Sequence, residues 1–207
     1  MIMKLWGRLS SINVQKAVWA LEELDLAYQR IDAGGAFGIN DTPEYRRMNP
    51  NGLVPTFEED AFVLWESNAI VRYLAAKYGA GTLWPEDPRR RAEADRWMDW
   101  QATAFTPALR DGFWQLIRTP EDRQDPALIE RSLKASERNA AILDAHLAGH
   151  AYVAGEAFTM GDIAAGAIAH RWLNMPITRE PRPHMERWYG ELMRRPAAQR
   201  ALILPIT

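Results

Sequence analysis

The chain has 207 residues, a formal net charge of −2 and 47% hydrophobic residues, a composition typical of a globular protein with one or two domains. Because basic residues are not in excess, the chain is not expected to bind nucleic acid as a general polyanion. It contains no cysteine, which excludes disulfides, thiolate metal sites and a thiol nucleophile of its own. We see no apolar run of membrane-spanning length and no signal-peptide pattern, so a cytoplasmic protein without a membrane partner is expected.

The first part of the chain alternates short apolar runs with helical patterns. Met3–Trp6 and the alternating segment Tyr28–Ile31 are strand candidates. Between them, apolar residues spaced by three and four predict a helix over 14–24. Thr42 followed by Pro43 is typical of a helix start.

Two further strands and a helix complete this part. Segments 54–57 and 62–65 flank the acidic residues 58–60, which predicts a hairpin. A helix is expected over 67–78, with Gly79 as its stop signal. A crossover followed by a hairpin gives a mixed four-stranded sheet with helices on its faces.

The remainder of the chain shows helical patterns only. Residues 80–88 carry two prolines and are interpreted as a linker. Beyond it we predict four helices, the first with a kink at Pro107: 89–118, 126–148, 163–172 and 183–194. The expected organisation is an α/β domain over 1–79, the linker 80–88 and an all-α helical bundle over 89–207.

The segment with the clearest chemical meaning begins at Asn49. Pro55 stands at the start of a presumed central strand, a position that proline normally avoids. A cis Val54–Pro55 bond is one solution, and it would offer the backbone of Val54 to an extended peptide. Ser67 at a helix N terminus would suit an anion, and Glu66 beside it an ammonium group. Together these groups suit the amino-acid end of a small peptide.

The combination N-P-N-G-x-V-P at 49–55 and E-S-N-A-I at 66–70 resembles the cytosolic glutathione S-transferase family, and the resemblance covers essentially the whole chain. It implies a thioredoxin-like N-terminal domain and a helical C-terminal domain. Val54, Pro55, Glu66 and Ser67 match the family's glutathione-binding positions. The implied activity conjugates the thiolate of glutathione, a co-substrate, to a small hydrophobic electrophile. The resemblance further implies a homodimer and no tightly bound cofactor.

The residue that activates the thiol is expected in the loop after the first strand. Segment 6–16 resembles the serine-type members, of the phi-like and theta-like bacterial kind, and places Ser11 on their active-site serine. Ser10 is the next candidate, and Asn13 stays open because some bacterial relatives use an asparagine. One hydrogen bond to the thiolate contributes about 1.5–3 kcal/mol, which lowers its pKa by roughly one to two units. Ser11 could also serve only as a helix cap.

Two positions depart from the family pattern. Relatives bind the glycine carboxylate of glutathione with basic or amide side chains near Asn40 and at the position of Leu53. Leu53 donates no hydrogen bond, so the contact would fall to the backbone of the loop 34–38 or be absent.

Other residues are assigned mainly structural roles. The aromatic side chains of the long helices are core by default, although Phe113, Trp114 and Trp172 are candidates for an electrophile pocket. Asp162 after Thr159 is interpreted as a capping box. The spacing of His146 and His150 suggests a metal pair, but no third ligand is evident, so no metal site is predicted.

Two alternatives accompany the transferase hypothesis. A glutathione-dependent peroxidase or disulfide reductase would use the same thiolate and would yield oxidised glutathione. A non-catalytic interaction protein on the same fold would have lost glutathione binding, and Leu53 is the residue that favours it.

Overall fold

The computed structural model describes residues 3–207, which form two compact units. The first comprises the chain through Trp84 together with Pro196–Ile203, and the second comprises Pro85–Arg195 together with Leu204–Thr207. The division falls within the segment 80–88 that was interpreted as a linker. It differs from the expected range 89–207 at the C-terminal end, because the last helix packs with the first unit.

The first unit is built on a mixed four-stranded sheet, as predicted. Its strands are β1 (Met3–Trp6), β2 (Tyr28–Ile31), β3 (Thr56–Glu59) and β4 (Phe62–Trp65). The strand order is β2-β1-β3-β4, with β1 parallel to β2 and the other two pairs antiparallel. Strand β3 is therefore internal, and the residue before it is Pro55.

The hairpin of β3 and β4 starts later than expected. Glu58 and Glu59 lie in β3 and not in the loop, so the prediction of a loop over 58–60 was wrong at these two positions. Both carboxylates have partners, which allows them to lie in a strand. Glu58 accepts from Trp6 Nε1, and the buried Glu59 accepts from the hydroxyls of Tyr73 and Tyr78.

The described residues of the first unit also form four α-helices. They are α1 (Ile12–Glu23), α2 (Pro43–Met48), α3 (Ser67–Tyr78) and α9 (Pro196–Ala201). Helices α1 and α3 pack on each other, and α9, which the sequence analysis missed, packs on α1. Thr42 caps α2 by accepting from the backbone N–H of Tyr45 at 3.2 Å, as its position before Pro43 predicts.

The second unit contains helices and no β-strand among its described residues. The helices are α4 (Pro88–Trp100), α5 (Thr106–Phe113), α6 (Pro126–Leu147), α7 (Met160–Asn174) and α8 (Pro183–Met193). Within residues 3–207, no helix combines the length and the apolar character that crossing a membrane requires.

The helix expected over 89–118 differs in its internal geometry. Two π-helical turns, Gln101–Phe105 and Trp114–Arg118, follow α4 and α5. Pro107 lies in the first turn of α5, directly after the first π-helical turn. The widened turn accommodates a proline that lacks the N–H of a regular helix, so the helix continues past it.

The start of α7 is fixed by a fully buried carboxylate. Asp162 Oδ1 accepts from the Val153 N–H and from Trp188 Nε1, both at 2.9 Å. Its Oδ2 accepts from the backbone N–H of Thr159 at 2.9 Å and from the Thr159 hydroxyl at 3.3 Å. The predicted capping box is therefore present, and it also ties α7 to its neighbours.

Candidate functional site

A small polar cavity of about 40 Å³ lies in the first unit, where the loop before β3 meets the start of α3. Among its lining residues are Asn13, Leu53, Val54, Pro55, Glu66 and Ser67. The structure therefore brings together every expected glutathione-binding residue except Asn40. Of the three thiol-activating candidates, Asn13 lines this cavity and Ser10 and Ser11 do not.

The loop before β3 is held from behind by buried polar groups. The Leu53 carbonyl accepts from the Tyr45 hydroxyl at 2.7 Å and from Asn49 Nδ2 at 2.9 Å. The Thr56 hydroxyl donates in turn to the Tyr45 oxygen at 2.8 Å. Burial raises the pKa of the Tyr45 hydroxyl, which keeps it a neutral donor. This network fixes the backbone that precedes the cis Val54–Pro55 bond.

Asn49 and Asn51 also line the cavity, and the sequence analysis treated them only as turn residues. Asn49 Oδ1 accepts from the backbone N–H and from the side-chain amide of Asn51, both at 3.1 Å. The pattern N-P-N-G was the available signal, since asparagine side chains commonly organise such turns. Asn40 serves the same turn, because its Nδ2 donates to the Gly52 carbonyl at 2.7 Å.

Ser67 is the first residue of α3 and is 5% exposed. Its hydroxyl donates to Asn13 Oδ1 at 3.2 Å, which joins the start of α3 to the start of α1. The amide oxygen of Asn13 is thus engaged by Ser67, and the Nδ2 group of the same side chain is a hydrogen-bond donor. The N-terminal N–H groups of α3 add a positive potential suited to an anion.

Ser11 occupies the N-cap position of α1 with an extended backbone, but its side chain makes no capping hydrogen bond. Its carbonyl accepts from the Gln15 N–H at 2.9 Å. The capping role considered for Ser11 is therefore limited to its backbone.

Gly7 allows the end of β1 to approach the cavity closely. Its φ is +151°, and a Cβ at this position would lie 2.4 Å from Val14 Cγ2 and 3.2 Å from Val54 Cβ. Only glycine fits such a site, so Gly7 helps to fix the position of Val54.

Among the described residues that line this cavity, none supplies a cation for the glycine-carboxylate contact expected near Leu53. Leu53 is 65% exposed, and the lining residues of the cavity include no lysine, arginine or histidine. In the loop 34–38, the backbone N–H groups of Gly34 and Gly38 donate within the loop at 2.7 and 3.2 Å. Two N–H groups of the loop suggested as a substitute are thus already paired.

A larger cavity of about 170 Å³ lies within the second unit. Phe113 and Trp114 line it, as expected, together with Leu109 and Ile168. Trp172 does not line it: this side chain is 1% exposed and packs near Phe105, with ring centroids 6.3 Å apart. One residue of an α-helix turns the side chain by about 100°. The step from Arg171, which lines the cavity, to Trp172 therefore moves the tryptophan into the core.

The two histidines singled out by spacing stack on each other, with ring centroids 4.2 Å apart. His146 Nε2 lies 2.9 Å from the Val153 carbonyl, and burial lowers the pKa of His146. In the part of the chain that the structure describes, no group of three or more histidine, aspartate or glutamate side chains is placed to hold a metal ion.

Comparison with known proteins identifies the family. Residues 1–76 match the model of the glutathione S-transferase N-terminal domain, and residues 126–191 match that of the C-terminal domain. The glutathione S-transferase GstB of Escherichia coli strain K12 is 45% identical over 208 residues, covering 100% of both chains. The chain belongs to the glutathione S-transferase family.

Solved structures agree with this assignment. The theta class glutathione S-transferase of Xanthomonas axonopodis pv. citri, with glutathione bound, is 50% identical with a TM-score of 0.96, covering 99% of each chain. Glutathione S-transferase I from maize, in complex with an atrazine glutathione conjugate, is 27% identical with a TM-score of 0.87, also covering 99% of each chain. The fold is thus the two-domain fold of this enzyme family.

Proposed function

We propose that the protein binds glutathione in the cavity of the first unit and conjugates its thiolate to a small hydrophobic electrophile. The observation that carries the proposal is the convergence of Val54, Glu66, Ser67 and Asn13 on one polar cavity. The functional division proposed is a glutathione-binding domain over 1–79 and an electrophile-binding domain over 89–207, joined by the linker 80–88. A cytoplasmic homodimer acting in detoxification is part of the proposal and rests on the family resemblance.

The cysteinyl and γ-glutamyl parts of glutathione each have a matching group. The backbone of Val54 pairs with the cysteinyl backbone in strand-like fashion. The N terminus of α3 binds the γ-glutamyl carboxylate together with the Ser67 hydroxyl, which turns its one proton from Asn13 Oδ1 to the ligand, and Glu66 binds the ammonium group. The relative from Xanthomonas axonopodis pv. citri has glutathione bound, which supports glutathione as the ligand.

The thiolate accepts a hydrogen bond from the start of α1. The family resemblance assigns the donor to Ser11, whereas the lining of the cavity favours Asn13. Either donor contributes about 1.5–3 kcal/mol to a charged acceptor, which populates the thiolate near neutral pH. Sulfur then attacks the electrophile and forms a thioether.

An ultraviolet difference titration with glutathione near pH 7, followed by product analysis by mass spectrometry, tests the proposal. We expect a saturable thiolate absorbance and a thioether product from 1-chloro-2,4-dinitrobenzene. Oxidised glutathione in place of a thioether would favour a peroxidase or disulfide reductase. Absence of saturation at millimolar glutathione would favour a non-catalytic interaction protein.

A further inference from the structure

Arg8 follows β1, and its side chain rests on the backbone of the loop 34–38. A Cβ atom placed on Gly35 would lie 3.1 Å from Arg8 Nε, and one placed on Gly34 would lie 2.8 Å from Arg8 Nη1. The φ values of Gly34 and Gly35, +79° and +61°, also favour residues without a side chain. These two glycines therefore leave the space that the Arg8 side chain occupies.

The guanidinium of Arg8 has no hydrogen-bond or ion-pair partner within the part of the chain that the structure describes, although the residue is half-buried. Asp32 precedes the Ala33 carbonyl that accepts from the Arg8 N–H at 3.0 Å, but the Asp32 carboxylate pairs with Arg30. A partly buried cation with unsatisfied N–H groups is unfavourable. An anionic ligand would satisfy those groups.

Arg8 also lies beside Val54, the residue proposed to pair with the cysteinyl backbone of glutathione. The Cβ position of Gly34 is 3.3 Å from Val54 Cγ1 and 2.8 Å from Arg8 Nη1, so both side chains border the same side of Gly34. Arg8 is not among the residues that line the polar cavity. The cation is therefore next to the proposed binding strand but outside the cavity itself.

The size of the polar cavity decides which part of glutathione extends to Arg8. Its volume of about 40 Å³ is far below the roughly 150 Å³ that holds benzene, so it takes only one end of a tripeptide. With the γ-glutamyl end at Glu66 and Ser67, the glycine lies outside, about 3.5 Å beyond the cysteinyl residue at Val54. A guanidinium beside Val54 is within reach of the carboxylate of that glycine.

We infer that Arg8 binds the glycine carboxylate of glutathione and determines the specificity for that end of the tripeptide. The inference rests on the proposed function for the identity of the ligand, and it assigns the contact to a residue other than Leu53 and Asn40. A guanidinium presents parallel N–H groups to the two oxygens of a carboxylate, which distinguishes a free carboxylate from an ester.

Calorimetric titration with glutathione and with its glycine monoethyl ester tests the inference, because the ester lacks only the negative charge at the glycine end. We expect the Kd of the unaltered protein to be about tenfold higher for the ester than for glutathione. Arg8→Gln should raise the Kd for glutathione about tenfold and leave the Kd for the ester nearly unchanged. Equal affinity of the unaltered protein for the two ligands would overturn the inference.

Two further variants separate the charge of Arg8 from its effect on the loop. Arg8→Lys keeps the charge but not the paired N–H groups, so it should retain part of the preference for glutathione. Arg89→Gln is the matched control, because Arg89 is an exposed residue of α4 that does not line the polar cavity, and it should change neither Kd. An equal loss of affinity for both ligands in Arg8→Gln would mean that Arg8 only shapes the loop 34–38, contrary to the inference.

Product analysis with 1-chloro-2,4-dinitrobenzene distinguishes failure of the inference from failure of the proposed function. A preference for glutathione over the ester that depends on Arg8, without any thioether product, would uphold the inference and reject the proposed function. Thioether formation with equal affinity for glutathione and its ester would uphold the proposed function and reject the inference.

Discussion

The two cavities of the molecule are built in different ways. The cavity of the first unit is small and polar, and it is shaped by a backbone turn, a cis Val54–Pro55 bond and the start of α3. The cavity of the second unit is larger and is shaped by side chains of α5, the following π-helical turn and α7. Backbone groups suit a ligand with a peptide-like backbone, whereas side chains can be exchanged without changing the fold. In the proposed function, the first construction suits glutathione, which is the same in every reaction, and the second suits an electrophile that varies.

The largest expected effect is a loss of folding stability when Asp162, the buried carboxylate at the start of α7, is substituted. Helix α7 supplies Ile168 and Arg171 to that cavity, and Asp162 holds its start through four donors. Asp162→Asn places an amide NH₂ group against donors in a fully buried position. We expect the free energy of unfolding to fall by about 3 kcal/mol or more, measured by urea denaturation.

Asp125→Asn is the matched control for this change. Asp125 caps α6 at an exposed position and accepts from the N–H groups of Ala127 and Leu128. Because asparagine caps helices about as well as aspartate, this variant should lose less than about 0.5 kcal/mol. Equal losses in the two variants would mean that burial of Asp162 adds nothing beyond an ordinary cap.

Ser67→Ala tests the first cavity directly. The substitution removes the hydroxyl proposed to bind the γ-glutamyl carboxylate, so the Kd for glutathione should rise about tenfold to a hundredfold. The control is Ser136→Ala, which removes a buried hydroxyl with no hydrogen-bond partner among the described residues of the protein. Unchanged glutathione affinity in Ser67→Ala would remove this residue from the proposed site.

Ser11→Ala and Asn13→Ala test which side chain donates the hydrogen bond to the thiolate of bound glutathione. The variant that removes the donor should raise the pKa of the bound thiol by about one unit or more, read from the thiolate absorbance against pH. The thiolate would then form at higher pH, and the rate at pH 7 would fall while glutathione still binds. A shift in Asn13→Ala alone would correct the assignment implied by the family resemblance, and a shift in neither would reject both donors.

The contrast between the cavities also explains what could be predicted from the sequence. The first cavity is lined by residues of two short sequence motifs. Pro55, Glu66 and Ser67 have few plausible roles in such motifs, so the main residues could be named without a structure. The hydrogen bond between Ser67 and Asn13 could not, because it joins residues 54 positions apart in the chain. That Ser11 does not line the cavity could not be predicted either, because it depends on how the starts of α1 and α3 meet in the folded chain.

The second cavity was less predictable because helical periodicity does not distinguish a pocket wall from a core. Phe113 and Trp114 lie at the cavity, but Trp172 lies in the core, one residue beyond a residue that lines it. Arg110, Arg118 and Arg171 also line this cavity, and they carried no signal in the sequence, since a charged residue on a helix is usually on a solvated face. The π-helical turns that surround α5 also change which side chains share a face, and periodicity cannot detect them.

The smallest expected effect comes from adding charge to the first cavity. Leu53 lines it and is 65% exposed, so Leu53→Lys places a cation where relatives bind the glycine carboxylate. An exposed ion pair contributes up to about 1 kcal/mol, so the Kd for glutathione should fall about two- to fivefold. The gain should disappear with the glycine monoethyl ester of glutathione, which lacks that carboxylate. Leu204→Lys, a change at another exposed leucine, should have no effect. An equal gain with the ester would show that the lysine acts on another group of the ligand.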